Sequence, residues 1–322
     1  MKFIKHIIIF IFIFSSCHDN EVANIELDFY RFDDFFSSIN EDNFEDKMSE
    51  IELSFPNYIK FYLSNNLELS FDDSIEMKSQ IINFISHLDV REFNNSINNY
   101  FSDIEDIVMD IRENFGKLSY LLPEILLPKK IIFINSFESY GIDRYEDCLV
   151  IGLDYYLSKN HPRSDQIEDY ILYRYDKRYI VADALEYWIS SFYYTKNKTT
   201  FLDQLIYNGK IMYLMYEILE DLGVVFRYTD EHVEWCKKYE NAIWNEVIHS
   251  GWLYKENNHE LRSFFYNERH TYGMPEESPT RIGNWIGFQI IRNYIKNSNT
   301  NFIQLMGESD YQKILFESKY IP

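Results

Sequence analysis

Cysteine is scarce in this chain, three residues among 322 at positions 17, 148 and 236. That is too few for a disulfide framework. Glycine is scarce too, with ten residues and no G-x-G-x-x-G, G-x-S-x-G or G-x-x-x-x-G-K-[ST] run. The Gly209-Lys210 pair lacks both the upstream glycine and the following Ser or Thr of a Walker loop. A dinucleotide fold, a P-loop and a nucleophile elbow are thereby excluded. None of the eight histidines forms an H-x-H or H-x₃-H pair, so no local metal-ligand spacing is visible. Basic residues are outnumbered 52 to 31, for a net charge of −21. Such a surface repels phosphate backbones, and nucleic acid is not an expected partner. Long apolar runs are also missing. The longest near the start, Ile7–Phe14, is about half of the roughly 20 residues that a spanning helix needs.

What is present begins with that run. Residues 1–17 have a basic start (Lys2, Lys5), the apolar segment, two small residues and Cys17. This is the pattern of an export signal cut before a cysteine that then carries acyl chains. We therefore expect a lipoprotein signal peptide over 1–16, a lipid-anchored tether over 17–24 with attachment at Cys17, and one mainly helical domain over 25–322. An oxidising compartment would permit a Cys148–Cys236 bridge; two separate buried thiols are expected instead. Hydrophobic residues at 46% and aromatic residues at 18%, including 27 Tyr and 26 Phe, are ample for a core. The aromatic excess is read as a compositional bias and not as a function.

Periodicity places the elements. Residues 25–36 alternate first and then turn helical. Residues 41–69 read as two helices broken at Pro56, and 72–115 carries apolar residues at spacings of three and four. Lys130–Phe137 and Cys148–Leu157 read as two strands of a small sheet. Two consecutive helices follow over Tyr179–Glu220. A Thr229/Asp230 cap is expected to start the next helix, and a polar, aromatic loop spans 254–278. Beyond Ser278-Pro279, Gly283 and Gly287 lie one turn apart on a helix, where each costs about 1 kcal/mol against alanine. Close packing against the Leu205–Leu219 helix is the expected compensation. Arg281, Gly283, Trp285, Gly287 and Arg292 are thus a candidate packing or partner surface. Glu186 has no visible partner or cause for a raised pKa, and it reads as a structural carboxylate rather than a catalytic base.

Together these segments resemble the gliding-motility lipoprotein GldB family of the Bacteroidetes. The likeness is carried by Phe29-Tyr30-Arg31-Phe32-Asp33, Tyr120-Leu121-Leu122-Pro123, Thr200-Phe201-Leu202-Asp203, Ile243-Trp244 and Lys319-Tyr320-Ile321-Pro322. Its most specific block is Ser278 to Arg292, where Thr280 replaces a usual Gly. The family is in turn similar to HExxH zinc peptidases. In that comparison Leu185-Glu186-Tyr187-Trp188-Ile189 occupies the metal helix, and Asn208-Gly209 stands where those peptidases carry Glu-Gly. Leu185, Glu186, Ile189 and Asn208 would then be a vestigial site, with both histidines replaced by aliphatic side chains. The resemblance implies an α+β, mainly helical fold with a zincin-like arrangement of a small sheet beside a central helix, the metal site lost. It also implies a cell-envelope lipoprotein without enzymatic activity, cofactor or metal. Such a protein would support gliding motility and type IX secretion through other envelope proteins. His18 after Cys17, in place of an inner-membrane-retaining Asp, points to an outer-membrane anchor, and the weak acidic signal of Asp19 and Glu21 to the periplasmic face. Two readings of other classes stay open: a hydrolase with atypical ligands, and an envelope protein binding a ligand or glycan on the aromatics of 254–272.

Overall fold

The computed structural model describes residues 25–69, 74–194, 199–256 and 259–322. Cys17, the signal peptide and the tether lie outside the described residues. The chain opens with strand β1 (Asp28–Arg31) and runs directly into helix α1 (Phe32–Ser37). Helices α2 (Phe44–Ser54) and α3 (Tyr58–Asn66) follow, separated at Pro56 because its ring cannot continue a helix. The apolar periodicity of 72–115 is divided among α4 (Ser74–Ser86), α5 (Leu88–Tyr100) and α6 (Glu105–Leu121). Glu105 and Asp106 stand in the first turn of α6, where carboxylates favour the helix dipole.

Strands β2 (Lys130–Ile134), β3 (Ile142–Tyr145) and β4 (Cys148–Gly152) complete a four-stranded sheet in the order β1-β2-β4-β3. The β1/β2 and β2/β4 pairs are parallel and the β3/β4 pair is antiparallel. Side chains alternate across a strand, so each central strand serves two cores. Ile131, Phe133, Leu149 and Ile151 join the large core with α6 and the later helices. Ile132, Ile134, Cys148 and Val150 face the smaller core built by α1–α4. There Phe32 is fully buried between Tyr58 and Tyr62, edge-on at 5.0 and 4.8 Å, a favoured aromatic geometry. Cys148 and Cys236 are free and buried, and they belong to different cores.

Short turns lead through α7 (Asp169–Leu172) to α8 (Ile180–Phe192). Helix α9 (Phe201–Leu219) starts at a capping box. Thr200 Oγ1 accepts from the Asp203 N–H at 3.2 Å, and Asp203 Oδ2 accepts from the Thr200 N–H at 2.9 Å. Next come α10 (Leu222–Phe226) and α11 (Asp230–His249), the latter capped by Thr229 Oγ1 accepting from the His232 N–H at 3.2 Å. Helix α12 (Ile282–Asn297), α13 (Phe302–Gly307) and α14 (Tyr311–Ser318) close the chain. The result is the expected α+β, mainly helical architecture. No helix among the described residues is long and apolar enough to cross a membrane.

The glycine pair on α12 is divided between two neighbours. A Cβ on Gly287 would sit 2.0 Å from the Leu205 carbonyl oxygen, and one on Gly209 would sit 2.3 Å from that of Gly287. Helices α9 and α12 therefore cross with their backbones touching. Gly283 instead meets Phe264 and Phe265 of the preceding loop, not α9. Gly287→Ala should lower unfolding stability by about 3 kcal/mol, as overpacking a dense interior does. Gly307→Ala, with open space around its Cβ, should stay within about 0.5 kcal/mol of wild type. Denaturant midpoints of the two variants decide this, and equal midpoints would contradict the backbone contact.

Candidate functional site

A cleft of about 730 Å³ opens where α8, the start of α9 and the start of α12 converge. Its other walls are loop residues around Tyr155, Arg174 and Phe265–Glu268. Helix α8 presents one face to it: Asp183, Glu186, Tyr187 and Ser190 line the opening, at the spacing of three and four that keeps residues on one side. Leu185 and Ile189 lie on the opposite face and are fully buried in the large core. Of the four vestigial-site residues, the fold thus brings Glu186 and Asn208 to the cleft and turns the two aliphatic ones away. The cleft-facing pairs four residues apart are Asp183/Tyr187 and Glu186/Ser190, neither of them the Leu185/Ile189 pair of the peptidase alignment.

Both carboxylates on that face are paired. Arg227, itself 3% exposed, donates from Nε to Asp183 Oδ1 at 2.8 Å and from Nη1 to the Val225 carbonyl oxygen at 2.6 Å, and the same Nη1 is ion-paired with Glu186 Oε2 at 2.9 Å. Its Nη2 also donates to Asp183. Arg281 Nη2 reaches the other Glu186 oxygen at 2.6 Å. The Tyr156 hydroxyl donates to Asp183 Oδ2 at 2.9 Å. In the amide orientation that satisfies its neighbours, Asn284 Oδ1 accepts from Arg281 Nε at 3.0 Å. The side-chain amides of Asn284 and Asn208 lie 3.2 Å apart. The outcome is a chain of alternating charge, Asp183–Arg227–Glu186–Arg281.

Burial pushes the Glu186 carboxyl up, but the Arg281 and Arg227 guanidiniums outweigh it and hold the group below the usual glutamate value. Burial opposes the charge on Arg227 likewise, and Asp183 and Glu186 outweigh it. A general base is helped by a pKa near the operating pH, so this pairing moves Glu186 the wrong way for that work. Among the described residues no group of three or more His, Cys, Asp or Glu side chains gathers to hold a metal ion.

Two of the arginines occupy unusual backbone. Arg227 closes α10 at φ 55° and Arg281 precedes α12 at φ 61°, both in the left-handed region. A non-glycine residue there costs on the order of 1 kcal/mol, and it is a common way to end a helix, as Glu220 and Lys319 also show. Arg281 also places a cation at the positive end of a helix with no acidic residue in its first turn, against the dipole. Glu186 is what compensates it.

The five residues marked around α12 do not share a surface. Arg281 lines the cleft and Arg292 is exposed. Trp285 is buried with its Nε1–H donating to Glu240 at 3.0 Å, and both glycines are interior. Asp183, Arg227, Arg174 and Tyr156 were not singled out from the sequence. A signal for the first two existed: two carboxylates three residues apart on an otherwise apolar helix demand cations.

Fold and cleft define a mainly helical α+β protein with an arginine-braced polar cleft, in a chain whose start has the form of a lipoprotein leader. The chain belongs to the gliding motility protein GldB family, whose model matches residues 15–322. Membership carries involvement in gliding motility, and the family's lipoprotein character suits a lipid-anchored envelope protein. No curated protein and no solved structure matches the chain.

Glu186→Gln should destabilise the protein by about 1–3 kcal/mol at pH 7, because it strips charge compensation from two guanidiniums in a cleft where Glu186 keeps 27% side-chain exposure. With the folded pKa below the unfolded one, the wild-type advantage is complete above the unfolded value and vanishes as pH falls through the folded value. Denaturant titrations of both proteins at pH 7 and near pH 3 test this. A gap that persists or widens in acid would refute it.

Proposed function

We propose that the chain is a non-enzymatic, lipid-anchored component of the cell envelope that supports gliding motility and the associated type IX secretion machinery by binding other envelope proteins. In this reading residues 1–16 are the signal peptide, Cys17 carries the acyl chains (palmitate among them), 17–24 is the tether, and 25–322 is one domain. The anchor sits in the outer membrane with the domain on the periplasmic side. Family membership supports the motility role. The observation that carries the binding role is Glu186 held between Arg227 and Arg281. A carboxylate neutralised on both oxygens, with its pKa lowered, serves architecture and recognition better than proton transfer.

Two experiments follow. Cys17→Ala should leave the protein unprocessed or released from membranes and abolish its function in a gliding host. A processed, membrane-bound Cys17→Ala protein would overturn the anchor. A photo-cross-linking residue at Tyr266, 52% exposed on the cleft rim, should trap another envelope protein in gliding cells. One at Leu53, 85% exposed on α2, should not. Absence of any adduct at Tyr266 would reject the cleft as a docking point, and peptide turnover by clean protein would reject the non-enzymatic reading.

A further inference from the structure

Arg174 is the cleft arginine that the charge chain does not include. Its Nη2 donates to Thr280 Oγ1 at 2.7 Å and its Nη1 to the Asn267 side-chain oxygen. Both partners are neutral. Among the described residues no carboxylate is ion-paired to it. Thr280 precedes Arg281 in sequence, so the tether holds one guanidinium beside another. Burial, with Arg281 next in weight, lowers the Arg174 pKa to about 10. A guanidinium offers five N–H donors, so three of those on Arg174 are left over.

The charges of the cleft set the kind of ligand. Arg174, Arg227 and Arg281 face Asp183 and Glu186, which leaves one positive charge in the interior. Glu268 also lines the opening, but on the exposed rim, and it is not ion-paired to any of the three. A monoanion balances the interior; a phosphate dianion would overshoot. Planar carboxylates match the guanidinium fork with two parallel hydrogen bonds. Next to Arg174 the wall is aromatic. Tyr155 and Tyr175 pack with ring centroids 4.3 Å apart, and Tyr170 and Tyr187 extend the surface. The volume of about 730 Å³ falls within the range typical of ligand sites.

We propose that this cleft receives a carboxylate on Arg174 and Arg281, presented by a ligand whose aromatic or apolar body lies on the Tyr155–Tyr175 wall. The proposal rests on the reading of the cleft as a recognition site and supplies the chemistry of what enters it. Asn208 lines the cleft beside Arg281 and provides a further polar contact for the ligand's flank, while buried Asn284 holds Arg281 in place.

The test uses full-length protein in detergent at pH 7 and constant ionic strength, with N-acetyl-tyrosine, its C-terminal amide and inorganic phosphate as probes. Saturable rises in melting temperature report binding. N-acetyl-tyrosine should saturate at least tenfold below the amide and below phosphate. Arg174→Gln should weaken the acid at least tenfold. Thr280→Ala, which keeps every charge and removes only the Nη2 tether, should weaken it severalfold, so the inference stands or falls even where the arginine variant does not fold. Equal responses to acid and amide, no response to either, or wild-type saturation in both variants would overturn the proposal. Tighter saturation by phosphate would overturn the carboxylate assignment. Failure here leaves an adduct at Tyr266 untouched, so this inference and the docking role can fail separately.

Discussion

The cleft depends on a contact that lies outside it, the touching backbones of α9 and α12 at Gly209 and Gly287. No side chain separates the helices there, because a Cβ on either glycine would enter the other helix's backbone. Asn208, the residue before Gly209, lines the cleft, and so does Arg281. Arg281 is six residues before Gly287, roughly 9 Å of helix rise. The crossing therefore sets how far the start of α12 stands from α8. A wider separation would carry Arg281 away from Glu186 and leave each charge without its partner. Two glycines that weaken their helices locally thus bring a pair of opposite charges within hydrogen-bonding distance.

A buried charge chain is weak evidence for stability. Desolvating several charged groups costs several kcal/mol per ion, and in well-packed proteins hydrophobic replacements of such networks are often neutral or stabilising. The same chain also tolerates two arginines in left-handed backbone and a cation at a helix N-terminus. Left-handed residues cap other helices of this fold too, at Glu220 and Lys319, so the backbone alone does not single out the cleft; the cation at the start of α12 is the choice that Glu186 offsets. Pairing with Asp183 and Glu186 fixes Arg227 and Arg281, while Arg174 is fixed by neutral groups and keeps donors free. A preorganised cation of that kind binds with less ordering cost than one on a flexible chain.

Local features were legible in the sequence; pairings between distant residues were not. The break at Pro56, the cap at Thr229 and the two helices within Tyr179–Glu220 rest on near neighbours, and the structure has each of them. The strands expected over Lys130–Phe137 and Cys148–Leu157 end earlier, at Ile134 and Gly152, Leu153–Tyr156 forms a 3-10 turn, and β3 was not expected. Strand β1 belongs to the sheet only through β2, Asp28 pairing with Lys130 across about a hundred residues, and no local pattern announces such a partner. The face of α8 was ambiguous for another reason. Helix α8 is apolar on most sides, and Leu185 and Glu186 are adjacent, so which one meets solvent depends on what packs behind. Leu185 lies fully buried in the large core. Arg227 and Arg281 could not be matched to Asp183 and Glu186 because the separations exceed forty and ninety residues.

The electrostatics of the molecule give the cleft its selectivity. With 52 acidic residues against 31 basic ones, the surface field slows the approach of anions, and screening at physiological salt limits that field to about 8 Å. Inside the cleft the guanidiniums stand closer to a bound carboxylate than the surface acids do, in a setting of lower effective dielectric where their attraction is stronger. A free polyanion would be repelled within that short range of the acidic surface before it reached Arg174. A single carboxylate attached to a largely neutral or apolar body meets little of that barrier and still gains the short-range pairing. The acidic exterior and the arginine interior thus discriminate in the same direction, towards ligands that carry one buried negative charge and not many exposed ones.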